Sequence, residues 1–167
     1  MKKTLLVLIL FFSFIGNISA ETKRIISGNN NAKITIIAYE SLTCSHCANF
    51  HKDVYPKLKK DYIDTGLAKI EFRHFPLDMA AFNASKIAQC KANQSLELLE
   101  SLYSNQQAWV KGNKIEEING NLKNYIEKEG FRLDFEKCLK NKEIEDFILN
   151  DRIEGAKKFN INATPTI

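Results

Sequence analysis

The chain has 167 residues, of which 44% are hydrophobic and 26% are charged; this composition fits one globular domain with a buried core and excludes a disordered chain. The net charge is +4, but without Lys2 and Lys3 the chain carries 22 basic and 20 acidic residues, a net charge of +2. That balance argues against nucleic acid or a membrane surface as a partner.

The first 20 residues have the layout of a secretory signal peptide. Lys2 and Lys3 form a charged start, Leu5–Ile15 form an apolar stretch, and Ile18-Ser19-Ala20 resembles the small-residue end of a signal peptide. The apolar stretch is short for a permanent bilayer span, although an uncleaved anchor is the alternative. We expect cleavage near Ala20 and a location in the periplasm, an oxidising compartment where disulfide bonds persist.

The next segments predict a strand, a helix and a second strand. A polar, turn-prone lead-in over Glu21–Ala32 precedes an apolar strand at Lys33–Glu40. Apolar residues at helical spacing predict a helix over Cys47–Tyr62, with a kink at Pro56 because proline lacks a backbone N–H. Alternating residues predict a second strand at Ala68–Phe75, so the two strands should pair in parallel around a crossover helix.

A long helical region follows. Residues 77–159 have helical patterns, with predicted breaks near Asn93, at Lys111–Lys114 and at Glu129–Gly130. We interpret most of this region, about residues 77–158, as a helical insertion that covers one side of the sheet. Residues 160–167 are expected to be extended, and Trp109, Tyr125 and Phe131 are expected in the core.

Cys44 and Cys47 form a CxxC motif where the first strand meets the helix. Unpaired N–H groups at a helix N-terminus stabilise an anion, so Cys44 is expected to be a low-pKa nucleophile and Cys47 the resolving thiol one turn later. A cationic His46 would stabilise the thiolate further. The alternative is a purely structural disulfide.

A zinc site that includes the CxxC motif is an alternative interpretation. Cys44, Cys47 and His51 have a C-x₂-C-x₃-H spacing, but no second ligand pair follows at the spacing of a zinc finger. We therefore predict no metal and no cofactor, and we expect His51 to be a surface or packing residue.

Three segments together resemble the DsbA-like branch of the thioredoxin superfamily. They are residues 41–51 (SLTCSHCANFH), 75–77 (FPL) and 163–166 (ATPT). The resemblance implies an α/β, thioredoxin-like fold with a helical insertion over residues 21–167. Family members continue after the Thr-Pro loop through two strands and a helix, so we expect a domain that lacks its last strands and helix.

The resemblance also implies roles for residues outside the CxxC motif. Pro165 should be a cis proline, and Thr164 should offer backbone hydrogen bonds to a bound substrate peptide. Cys90 and Cys138 match an extra cysteine pair found in some members, and we predict a structural disulfide, with two buried free thiols as the alternative. Glu40 is a candidate for proton handling, because family members often place an acidic residue two positions earlier.

The function implied by this resemblance is that of a periplasmic thiol:disulfide oxidoreductase. It would pass a Cys44–Cys47 disulfide to unfolded exported proteins through a mixed disulfide, as a monomer, and a DsbB-like membrane partner would reoxidise it. Two alternatives remain open: a disulfide isomerase or reductase of the same superfamily, and a truncated, non-enzymatic remnant or binding protein.

Overall fold

A computed structural model describes residues 22–91 and 93–167. The predicted signal peptide at residues 1–20 lies outside the described residues. Within them, no helix has both the length and the apolar character that crossing a bilayer requires.

Three strands form the sheet of the described chain: β1 (Ile25–Ser27), β2 (Ile34–Glu40) and β3 (Ala68–His74), in the order β1-β3-β2. β2 and β3 pair in parallel along their whole length, as predicted, and each begins or ends within one residue of the predicted position. The central strand β3 therefore fixes the register of β2, whose carboxyl end leads to the CxxC motif.

The prediction of a polar lead-in before β2 is wrong, because part of that segment is strand β1. β1 pairs antiparallel with β3, with Ile25 opposite Phe72 and Ser27 opposite Ile70. Ile25 and Ser27 are both buried. Three residues are too few to show an alternating pattern, and this edge strand exists because β3 offers it a ladder of backbone hydrogen bonds.

The helix after the CxxC motif alternates between α-helical and π-helical turns; we call residues 45–63 the CxxC helix. It consists of α1 (Ser45–Asn49), a π-helical turn (Phe50–Val54), α2 (Tyr55–Leu58) and a second π-helical turn (Lys59–Ile63). The missing N–H of Pro56, where we expected a kink, falls in the first turn of α2 and directly after the first π-helical turn. The chain thus accommodates the proline by a local change of helix type.

Six further helices occupy the described part of residues 77–159, with interruptions at the three predicted places. They are α3 (Met79–Cys90), α4 (Ser95–Ser104), α5 (Gln106–Trp109), α6 (Ile115–Lys128), α7 (Phe135–Leu139) and α8 (Lys142–Lys158). The expected core residues Trp109, Tyr125 and Phe131 are buried.

These helices cover both faces of the sheet, so the expectation that they cover one side is wrong. Neighbouring strand residues point to opposite faces, and the Phe72 ring lies 5.2 Å from His51, which stacks on Tyr103 of α4. The next residue, Arg73, instead binds Glu154 of α8 at 3.2 Å. The CxxC helix and α4 therefore share one face, and α8 packs on the other.

Gly155 brings the backbone of α8 close to the sheet. A Cβ atom there would lie 2.7 Å from Cε1 and 3.0 Å from Cδ1 of Tyr39, whose ring is buried. We expect Gly155→Ala to lower the free energy of unfolding by about 1–2 kcal/mol through crowding. A Cβ at Gly120 in α6 meets nothing within 4 Å, so Gly120→Ala should raise it by about 0.5–1 kcal/mol. Urea unfolding of both variants tests this, and equal effects would contradict the close packing.

Candidate active site

Cys44 lies at the junction that the sequence predicts, between the carboxyl end of β2 and the start of the CxxC helix. It is the N-cap residue of α1, with an extended backbone (φ −76°, ψ 119°). The side-chain amide of Gln106 in α5 donates hydrogen bonds to the carbonyl oxygens of Leu42 (2.8 Å) and Cys44 (3.0 Å). The helical region thereby holds the loop that carries the first cysteine.

The environment of Cys44 favours its thiolate. Partial burial alone would raise the pKa of the thiol, but interaction with the Thr164 side chain and hydrogen bonds from the backbone N–H groups of Cys47 and His46 outweigh it and lower the pKa below its ordinary value. These two N–H groups belong to the first turn of α1, which has no intrahelical acceptor for them. Cys44 is half-buried, so its sulfur is accessible to a second thiol.

Cys47 has the opposite environment. Its side chain is fully buried, and burial raises the pKa of the Cys47 thiol to about 12, with a smaller contribution in the same direction from the nearby charge of Glu40. Both cysteines are free thiols in this structure. One sulfur is therefore an accessible group that favours the anion, and the other is a buried group that retains its proton.

The Thr164–Pro165 segment lies against Cys44. Its peptide bond is cis, and the Cys44 thiol donates a hydrogen bond to the Thr164 carbonyl oxygen at 3.3 Å. The segment is held in place through Thr166, which exchanges two backbone hydrogen bonds with Tyr39 of β2, at 2.8 and 3.1 Å. The structure thus brings residues 120 positions apart to one site.

Glu40 and His51 form a buried pair on the inner side of this site. Glu40 is 3% exposed, and its Oε2 lies 2.8 Å from His51 Nε2. Glu40 Oε1 and His51 Nδ1 have no hydrogen-bond partner among the described residues. Burial raises the pKa of the Glu40 carboxyl group, and the hydrogen bond and charge of His51 offset only part of that rise.

The side chain of His46, which was predicted to stabilise the Cys44 thiolate, is exposed. Residue 46 acts on Cys44 through its backbone N–H.

The predicted cysteine pair lies away from the CxxC motif. Cys90 and Cys138 form a disulfide bond with Cα atoms 5.7 Å apart, and this bond joins α3 to α7 in the helical region.

The comparisons with known proteins agree with this geometry. The profile of the family described as Thioredoxin matches residues 20–167. The crystal structure of alpha-DsbA1 from Wolbachia pipientis superposes with a TM-score of 0.77 and 32% sequence identity, over 85% of this chain and 72% of that one. The chain belongs to the DsbA-like branch of the thioredoxin superfamily.

Curated relatives of this DsbA-like chain extend the likeness to other bacteria. A candidate protein-disulfide oxidoreductase of Rickettsia bellii is 34% identical over 93 residues, which are 54% of this chain and 36% of that protein. Disulfide bond formation protein D of Bacillus subtilis is 27% identical over 157 residues, which are 84% of this chain and 64% of that protein. The match thus spans about a third of the length of the Rickettsia relatives.

The buried acid of this site, Glu40, is the last residue of β2. Ala38, earlier in the same strand, is fully buried opposite Phe72. Glu40 lies two residues later on the same face of β2, next to His51. The Glu40 carboxyl group is therefore buried at the carboxyl end of β2, beside the CxxC helix.

Sequence reasoning missed two residues of this site, His51 and Gln106. His51 follows Cys47 by four positions on a helix, a spacing that places both on one face and was the available signal. Gln106 gave no signal, because its role depends on contacts with carbonyl groups more than 60 positions away.

Proposed function

We propose that this chain is a thiol:disulfide oxidoreductase that donates the Cys44–Cys47 disulfide to exported proteins. The observation that carries the proposal is the opposite electrostatic environment of the two sulfurs. A stabilised Cys44 thiolate favours the reduced form of the pair, and that makes the disulfide a stronger oxidant.

The reaction proceeds through two thiol–disulfide exchanges. A substrate thiolate attacks Cys44 Sγ, a bond forms between these sulfurs, and the Cys44–Cys47 bond breaks, so that Cys47 leaves with the electron pair and takes up a proton. The second substrate thiolate then attacks the substrate sulfur of the mixed disulfide, and Cys44 leaves as a thiolate. The substrate loses two electrons and the protein gains them.

The cis Thr164–Pro165 segment supports the same proposal. Its backbone lies within hydrogen-bond distance of Cys44, so an extended peptide bound along it has its cysteine next to the reactive sulfur. Unfolded, newly exported proteins are therefore the proposed substrates.

The proposed location is the periplasm, and this proposal is supported by the signal-like sequence of residues 1–20. A membrane partner of the DsbB type is proposed to reoxidise Cys44 and Cys47, and the protein is proposed to act as a monomer.

A single-turnover experiment tests this function. The protein is oxidised to its Cys44–Cys47 disulfide and mixed with a reduced peptide that contains two cysteines, and formation of the peptide disulfide is followed by mass spectrometry. We expect complete conversion with the wild-type protein and no conversion with Cys44→Ala, because that variant has no Cys44–Cys47 disulfide to donate. Failure of the wild-type protein to oxidise the peptide would refute the proposed function. A parallel assay with a scrambled disulfide substrate separates an oxidase from an isomerase.

A further inference from the structure

A cavity of about 220 Å³ reaches His51 from the protein surface. It lies between the CxxC helix and α4, and its walls are formed by His51, Tyr55, Pro56, Lys59, Glu100 and Ser104. Pro56 and Ser104 are exposed, which places the mouth of the cavity at the surface. The volume is sufficient for several water molecules.

His51 connects this cavity to Glu40. Its Nε2 forms a hydrogen bond with the Glu40 carboxyl group. Its Nδ1 is buried and has no hydrogen-bond partner among the described residues. An imidazole ring accepts a proton at one nitrogen and releases one from the other, so a single ring can relay protons. His51 belongs to the first π-helical turn of the CxxC helix, a local irregularity that is frequent at functional sites.

The proposed reaction requires a proton at a place that bulk water does not reach directly. Cys47 becomes a thiolate when the disulfide breaks, and its side chain is fully buried. Burial raises the pKa of that thiol to about 12, so the released thiolate binds a proton strongly. Glu40 is close enough for its charge to act on Cys47.

We propose that the cavity is the entry through which protons reach the buried sulfur of Cys47, and that His51 passes them from the cavity to Glu40. The inference rests on the proposed oxidoreductase function. For each Cys44–Cys47 bond broken, one proton moves from the Glu40–His51 pair to Cys47 Sγ, and one proton from cavity water restores the pair. His51 acts on the sulfur through Glu40 and is therefore a positioning residue.

Several titratable groups surround His51 and bear on any pH dependence. They come from β2, α4 and the CxxC helix, and they are Glu40, Cys47, Tyr55, Lys59, Glu100 and Tyr103. Tyr55 donates a hydrogen bond to Glu100 at 2.9 Å at the cavity wall, and burial raises the pKa of Tyr103 well above its ordinary value. Burial also raises the pKa of Tyr55, so both phenols remain protonated over the pH range of the test.

A first experiment examines the cavity independently of catalysis. Ser104→Leu fills the mouth of the cavity, and Gln107→Leu adds the same side chain at an exposed position outside its walls. The chain has three histidines, so ¹⁵N-labelled imidazoles can be assigned, and exchange of their ring N–H protons with water can be measured by NMR. We expect Ser104→Leu to slow exchange at His51 about tenfold and to leave His46 and His74 unchanged, and we expect Gln107→Leu to change none of them.

A second experiment connects the cavity to Cys47. The single-turnover oxidation of the dithiol peptide is measured from pH 5 to pH 8 in H₂O and D₂O. Because burial raises the pKa of Glu40, protonation of this carboxyl group is most favoured at the acid end of this range, and Ser104→Leu should have its smallest effect at pH 5. At pH 8 protons are scarcest in the cavity water, so Ser104→Leu should slow the reaction about tenfold and increase the H₂O/D₂O rate ratio. His51→Gln, which keeps an amide near Glu40 but cannot relay a proton, should show the same pH profile.

Each result decides the inference. Unchanged exchange at His51 in Ser104→Leu overturns it, and so does slowed exchange with an unchanged pH profile, because protons would then reach Cys47 by another route. If wild-type protein does not oxidise the peptide, the proposed function fails, and the NMR measurement alone decides whether the cavity admits protons to His51.

Discussion

The Cys47→Ala variant is expected to remain covalently attached to its substrates. Its Cys44 thiolate attacks a peptide disulfide, forms a mixed disulfide and releases one peptide sulfur as a thiolate. In the wild-type protein, Cys47 Sγ then attacks Cys44 Sγ, the bond between Cys44 and the peptide breaks, and the peptide leaves as a thiolate. This step occurs within one molecule, at an effective concentration that no external thiol matches. Without Cys47 the adduct should persist roughly 10³-fold longer.

Intact-mass spectrometry after acid quenching measures this adduct as a mass increase of one peptide chain. Cys44→Ala is the matched control: it retains the buried Cys47, whose pKa is raised to about 12, and should form no adduct at neutral pH. Adducts of equal yield in the two variants would contradict the assignment of Cys44 as nucleophile and Cys47 as resolving thiol.

The pKa values of Cys44 and Cys47 shift in opposite directions because the two residues occupy different positions relative to the first turn of α1. Cys44 precedes the first turn of α1 and can accept hydrogen bonds from the free N–H groups of that turn, whereas Cys47 lies within the turn and faces the core. The position of the motif at the junction between β2 and the CxxC helix therefore determines which cysteine is accessible as a thiolate and which is buried as a thiol.

The sequence was sufficient to predict those parts of the fold that have strong local patterns. β2 and β3 have seven residues each, and the CxxC helix has an apolar face over several turns. Such patterns depend on residues close together in the chain, and the order of strand, helix and strand then fixes parallel pairing. The position of Cys44 at the junction follows from the same local information.

The sequence was insufficient where a structure depends on distant partners. β1 is stabilised by pairing with β3 and by ion pairs of Arg24 with Glu71 and Asp151, none of which a three-residue pattern reveals. His51 is likewise ambiguous in isolation, because burial and the contact with Glu40, not the local sequence, determine what its ring does. The assignment of the helical region to one face failed for the same reason, since α8 packs on the second face through contacts with residues distant in the chain, such as Tyr39 and Arg73.

The Cys90–Cys138 disulfide is expected to contribute most of the stability of the helical region. It closes a loop of 48 residues, for which the loop-entropy estimate is on the order of 4 kcal/mol, an upper figure where the reduced chain retains structure. We expect the double variant Cys90→Ala/Cys138→Ala to lose about 3–4 kcal/mol of unfolding free energy and roughly 10 °C in Tm.

The free energy of unfolding should be measured in a Cys44→Ser/Cys47→Ser background. The Cys90–Cys138 bond is then the only disulfide that can form in the described chain. Urea unfolding is followed with and without a reductant. The parent with its disulfide should be the most stable form, and adding reductant should bring it close to the double variant, because both then unfold to an open chain. A reductant effect below about 1 kcal/mol would show that packing between α3 and α7, and not the covalent bond between them, holds these helices together.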